Sequence, residues 1–228
     1  MTENEMAKFI AKGVAKEIKA KLDKIAEEHE KYPVLSYVKE TPIKDYLKWI
    51  NKHRMRRSNG SRKWVFTDGS GQWKSTGGKR LPAGIGVFFG FEDPKNIAEP
   101  LDEEKATNQR AEVMAVKRAL DVVLESEEEP KILTIVSDSE WTIKSLTCEY
   151  RSTANTDLLG KTTENLEKLM KLGWKIEFNH VRGHQKKPLD TKSYEYFLWY
   201  GNDWADTLAG IGNEICKKRI NGGFDESE

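Results

Sequence analysis

The chain has 228 residues, 37% of them hydrophobic and 33% charged, with seven Trp and a formal net charge of +1. That is enough apolar material for one large domain, or one domain with an appendage, and the charge is too balanced for its total to point at a partner. No apolar run approaches the ~20 residues that span a bilayer; residues 1–9 are acidic and polar, unlike a secretory signal or an Arg-rich transit peptide; and Cys148 and Cys216 have neither zinc-ligand spacing nor a disulfide framework, which fits a reducing, nuclear or cytoplasmic compartment.

In chain order, Ile10, Val14, Ile18, Leu22 and Ile25 recur at helical spacing and predict an amphipathic helix over residues 8–30, ended by Tyr32-Pro33. Thr41-Pro42 supplies an N-cap followed by a proline at the first helical position. Ile43, Tyr46, Leu47 and Ile50 give a second, short helix its apolar side. Residues 52–63 then carry six Lys or Arg and end in polar, glycine-containing residues. This run reads either as a phosphate-contacting patch or nuclear address, or as a solvated linker.

From Arg62 the pattern changes. Strands are expected over 63–67, over 83–91 (AGIGVFFGF) and, shorter, over 96–100. A helix over 107–125 follows, then the continuous apolar strand 131–137 (KILTIVS), which suits a position covered on both faces. Helices over 139–146 and 161–172, a strand over 174–181 and a helix over 202–218 complete the series. Three strands followed by alternating helices and strands indicate a mixed α/β sheet with helices on its faces.

Four carboxylates stand at structurally similar places. Asp68 ends the first strand, just before Gly69. Glu112 lies near the start of the first long helix. Asp138 follows the central strand. Asp206 falls in the first turns of the last helix. Converging, they would push one another toward protonation. Divalent cations with oxygen ligands resolve that conflict, as magnesium does when held by carboxylates, water and a substrate phosphate. Two such ions about 3.5–4 Å apart would clamp both the attacking and leaving oxygens of a phosphodiester.

The motifs Phe66-Thr67-Asp68-Gly69-Ser70, Ala106-Thr107-Asn108-Gln109-Arg110-Ala111-Glu112, Ser137-Asp138-Ser139, His180-Val181-Arg182-Gly183-His184 and Asn202-x-x-Ala205-Asp206-x-Leu208-Ala209 resemble type 1 ribonuclease H, in that family's order and with roughly its spacing. Ala83-Gly84-Ile85-Gly86-Val87 is similar to its eukaryotic members. The resemblance runs from about Arg62 to Lys218. It implies a ribonuclease H-like fold, with a mixed five-stranded sheet flanked by helices. Residues 61–220 would form that domain, 1–60 a helical N-terminal extension with a basic linker, and 221–228 a disordered tail.

The resemblance also implies an endonuclease that hydrolyses the RNA strand of RNA–DNA hybrids with two Mg2+ ions (Mn2+ as substitute), leaving 5′-phosphate and 3′-hydroxyl ends. Asp68 would bridge both ions. Asp206 would complete the site of the ion that activates water, and Glu112 and Asp138 would hold the ion at the leaving oxygen. Glu112 and backbone groups of Ser70, Gly71 and Gln72 would meet RNA 2′-hydroxyls, the group that distinguishes RNA from DNA, with Asn108 and Gln109 nearby. Thr107 and Asn155 match a DNA-phosphate pocket, with Lys105 as its basic residue. His184 matches the histidine that assists proton transfer or product release, a role suited to an imidazole. No membrane association is implied. A monomer is expected, with the N-terminal amphipathic helix as the place for a protein partner.

Three departures from the family pattern stand out. Residues 185–200 form an insert between His184 and Asp206, carrying Lys186, Lys187, Lys192 and the aromatics Tyr194, Tyr196, Phe197, Trp199 and Tyr200; it would reach the hybrid, cover the site or pack on the N-terminal helices. The family's basic handle with two tryptophans is replaced by residues 148–154, where Tyr150 is the candidate aromatic. Residues 1–60 lack the glycine- and aromatic-rich β pattern of the small hybrid-binding domain found in many eukaryotic members. The alternatives to the enzyme are a catalytically weak binding module of the same fold, or a domain derived from a reverse-transcribing element.

Overall fold

The computed structural model describes residues 62–71, 81–103, 106–126, 129 and 132–221. The two expected N-terminal helices, most of the basic run, Gln72, Lys105 and residues 222–228 lie outside the described residues. The elements are β1 (Arg62–Ser70), β2 (Gly84–Phe88), β3 (Ile97–Pro100), α1 (Asn108–Glu125), β4 (Ile132–Ser137), α2 (Glu140–Leu146), α3 (Thr156–Lys171), β5 (Lys175–His180) and α4 (Tyr194–Asn221). They form one five-stranded sheet in the order β3-β2-β1-β4-β5. Strands β1, β2 and β3 pair antiparallel, whereas β1 with β4 and β4 with β5 are parallel. The mixed sheet read from the sequence is the one observed.

β1 is the centre of this sheet, and its sequence shows why. Trp64, Val65 and Phe66 are all buried, as a strand covered on both faces requires. Alternation sends Val65 to one face and Trp64 and Phe66 to the other. The first face is aliphatic: Val65, Ile85, Val87, Leu133 and Ile135 share a core with Ala111, Ala115, Val116, Ala119 and Leu120 of α1 and with Leu166 and Leu169 of α3. The second face is aromatic. Phe197 of α4 meets Trp64 and Phe66 edge-on, at centroid distances of 5.2 and 5.3 Å, and Trp204 stacks on Phe88 at 5.6 Å. Such pairs add about 0.5–1.5 kcal/mol each beyond their area.

Several boundaries differ from the sequence expectation for identifiable reasons. β1 does not stop at Thr67; Asp68, Gly69 and Ser70 pair with Gly86, Ile85 and Gly84, so Asp68 sits inside a paired strand. Arg62 and Lys63, the last cations of the basic run, also belong to β1. Arg62 forms an ion pair with Glu177 of β5, and the Lys63 ammonium lies 5.3 Å from the Phe89 ring. α3 begins at Thr156 instead of residue 161, because Asn155 starts the helix from a left-handed conformation at φ 55°. The largest difference is α4, which begins at Tyr194 instead of residue 202. Tyr196 and Phe197 are buried, and burying them against the sheet stabilises extra turns that helix spacing around Asp206 alone does not reveal. Asn221 is the last residue of this helix. Among the described residues, no helix is long and apolar enough to cross a membrane.

Candidate active site and metal centre

The site lies where β1, α1, β4 and α4 meet. α1 starts there because Thr107 caps it, its Oγ1 accepting the Arg110 amide at 3.2 Å. Glu112 is then one turn in, on the side facing β1. Gly69 makes that approach possible. A Cβ at this position would overlap the backbone of Ala111 and Glu112, so a side chain here would force α1 away from the strand. Across β1, the parallel neighbour β4 ends at Ser137 and delivers Asp138 beside Asp68.

One carboxylate oxygen from each of Asp68, Glu112 and Asp138 lies within 4.8 Å of the others. Asp68 and Glu112 are each 5% exposed. Burial, and then the neighbouring carboxylates, push both acids well above their ordinary range; Asp138 and Asp206 act on Asp68, and Asp68 and Asp138 act on Glu112. Asp138 is also raised, by burial first, while a hydrogen bond from Asn202 and the nearby His184 oppose the shift. Asp206 is exposed and outside this tight triad, but its carboxylate lies near enough to help raise Asp68. It reaches the triad from more than three turns inside α4, not from the first turns expected.

Glu112 Oε2 is buried and accepts no hydrogen bond from the described residues. A buried carboxylate oxygen without a donor is costly. Three converging carboxylates, one of them with an oxygen that has no donor, are the ligand set of a hard cation such as Mg2+, and the residues present therefore fit one.

The remaining expected residues fall into two groups. His184 lines a cleft of about 350 Å³ together with Asp138, Asn202, Asp203 and Asp206. Its backbone is left-handed, at φ 51°, and the preceding Gly183 lies so close to Asp138 that a Cβ would overlap its Oδ2. The His180 ring contacts the Asp138 carbonyl oxygen through Nε2 at 3.2 Å. The second group borders α1 and α3. Thr107 and Asn155 are the N-caps of those two helices, and the Asn155 side chain makes no capping bond. The Arg110 guanidinium reaches from one helix to the other, with Asp157 at 2.8 Å and Glu103 also paired. Asn108 donates to Glu112 Oε1 at 3.5 Å, and Gln109 follows it in the first turn. The Ser70 hydroxyl accepts from Asn213 of α4 at 2.9 Å, and Gly71 follows as β1 ends. Lys105 lies outside the described residues.

One residue beside the acids entered the sequence reading only as part of a motif, with no role assigned. Asn202 is 7% exposed, lies beside the Asp138 carboxylate, which it helps hold down, and has no partner for its own Oδ1 among the described residues. The available signal was its place one turn before Asp206.

The sheet order and the acid cluster define a ribonuclease H-like α/β protein. The RNase H family model matches residues 60–214, and the chain belongs to the RNase H family. It is similar to a protein named Ribonuclease H from Schizosaccharomyces pombe, with 32% identity over 173 residues that cover 70% of this chain and 56% of the relative. Ribonuclease H1 of Mus musculus is 31% identical over 156 residues, covering 65% of this chain and 49% of the relative. The chain thus spans about half the length of the curated relatives it matches. Among solved structures, LC11-RNase H1, isolated from compost by a metagenomic approach, shares the fold with a TM-score of 0.50 and 20% identity, covering 68% of this chain and 96% of that one.

Proposed function

We propose that this chain is a metal-dependent endonuclease that hydrolyses the RNA strand of RNA–DNA hybrids and leaves 5′-phosphate and 3′-hydroxyl ends. The observation that carries the reading is the convergence of Asp68, Glu112 and Asp138 within 4.8 Å, with Glu112 Oε2 buried and without a donor among the described residues. Family membership supports the same reading.

Asp68, Glu112, Asp138 and Asp206 would hold two divalent cations, Mg2+ or in its place Mn2+. Bound there, the cations supply charge neutralisation for the phosphodiester and acidify a water. The chain's own groups do the rest. Asn202 orients the Asp138 carboxylate. His184, beside Asp138, takes or delivers a proton at the mouth of the cleft. Ser70, Gly71, Asn108 and Gln109 border the acids where a ribose would lie and meet its 2′-hydroxyl. Thr107 and Asn155, with Lys105, bind a phosphate of the DNA strand at the paired N-termini of α1 and α3, where backbone N–H groups favour an anion.

The deciding experiment is cleavage of end-labelled RNA–DNA hybrid, with double-stranded RNA and double-stranded DNA as controls, in magnesium and in chelator. Magnesium-dependent cutting confined to the RNA of the hybrid is the expected outcome. Binding without cutting under every metal tried would move the chain to the class of binding modules.

A further inference from the structure

The insert 185–200 has no role in the reading above, yet its residues touch one another and the segment that carries His184. The Trp199 indole Nε1 donates to the Gln185 carbonyl at 3.0 Å. The Lys187 ammonium lies over two rings at once, 5.7 Å from Trp199 and 5.8 Å from Tyr196. Those two rings pack together at 5.5 Å, and both stand on α4, the helix that carries Asn202 and Asp206. An ammonium over two aromatic faces is held by their quadrupoles, and the indole bond fixes the backbone immediately after His184. On its other side the same segment is tied by the Val181 amide to the Ser137 carbonyl at 3.1 Å. His184 therefore sits between an anchor on β4 and an anchor on α4, with Gly183 against Asp138.

We propose that Trp199, with Lys187 and Tyr196, is a positioning device for His184: the insert clamps the His184 segment to the helix of Asp206 and holds the imidazole beside the Asp138 carboxylate. The inference rests on the proposed nuclease reading for its catalytic consequence. The physical logic is that a group acting on a reacting atom contributes fully only when its supporting residues hold it in place. An exposed turn after a strand has no such support of its own, and here the aromatic turns added to α4 supply it.

The test uses the full chain and two variants. Trp199→Phe keeps an aromatic ring and removes the N–H donor; Lys187→Met keeps the aliphatic stem and removes the cation. Each is made in the parent and in a His184→Ala background. Amide hydrogen exchange across residues 183–187 should accelerate several-fold in both variants, with protection of α1 and β4 unchanged. Hybrid cleavage should lose about tenfold in kcat with KM nearly unchanged, and should lose nothing further when His184 is already Ala. Unchanged exchange overturns the clamp whether or not the chain cuts hybrids. An equal loss of kcat with and without His184 overturns the assignment, since Trp199 would then act elsewhere. A parent chain that does not cut, with exchange accelerated as expected, leaves the clamp standing and removes the nuclease reading instead.

Discussion

Glu112 shows at the scale of one residue why this site wants a cation. Its carboxyl is buried, one oxygen accepts nothing from the described residues, and Asp68 and Asp138 lie against it. Its folded pKa stands well above the ordinary 4.5, through burial first and Asp68 next. For a group raised on folding, the stabilising contribution is complete below the ordinary pKa and is lost as pH rises through the folded value. Metal-free protein should therefore lose stability from about pH 4.5 upward on account of this acid. Glu112→Gln should raise the metal-free melting temperature at pH 7 by a few degrees, at about 2–4 °C per kcal/mol for a chain of this size. Magnesium should stabilise the parent and not the variant; a thermal melt series with and without chelator measures both. Asp138 tests the chemistry instead. Asp138→Asn keeps the size and the neighbourhood of Asn202, so hybrid binding in a gel-shift assay should be nearly intact while cleavage falls by ~10²–10³-fold or more. Loss of both together would assign Asp138 to the fold.

At the scale of elements, α4 carries the most instruction. Helical spacing near Asp206 predicts a helix from residue 202, and the observed helix starts at Tyr194. The added turns are fastened by aromatic contacts to strands far away in sequence, Phe197 to Trp64 and Phe66 above all. Phe197 is thus part of the core and not a surface residue of an insert. Phe197→Ala should lower the unfolding free energy by about 3–5 kcal/mol, as read from urea denaturation. A cost within about ±0.5 kcal/mol, the level of ordinary surface changes, would mean that these turns are not packed as described. The two halves of the expected phosphate pocket also depend on a contact between elements: the Arg110 guanidinium joins the N-terminus of α1 to Asp157 at the start of α3. That ion pair holds the Asp157 carboxyl down at about 2, so it persists throughout the pH range of any cleavage assay.

At the scale of the whole molecule, the basic run divides in two. Arg62 and Lys63 are engaged in the sheet, which leaves Lys52, Arg54, Arg56 and Arg57 to act on a polyanion. Deleting residues 1–57 should weaken hybrid binding and flatten its salt dependence, by about 0.9 in log–log slope for each phosphate these cations would neutralise. Fluorescence anisotropy across a salt series measures this, and an unchanged slope rejects the role.

The sequence alone carried the mixed sheet, the family and the three acids that converge, because these are written in short motifs and in local hydrophobic period. Trp64-Val65-Phe66 and the apolar run of β4 announce strands buried on both faces whatever packs on them. Tertiary structure alone decided what depends on contacts between distant segments. It continued β1 through Asp68 to Ser70, because the partners of those last residues are in β2. It brought Asp68, Glu112 and Asp138 within 4.8 Å and left Asp206 at the rim. It started α4 eight residues early and set Trp199 against the His184 segment. These depend on backbone pairing with β2, on the close approach of α1 at Gly69, on burial of aromatic rings under the sheet and on the indole bond to Gln185, and none of them is visible in the spacing of residues along one strand or helix.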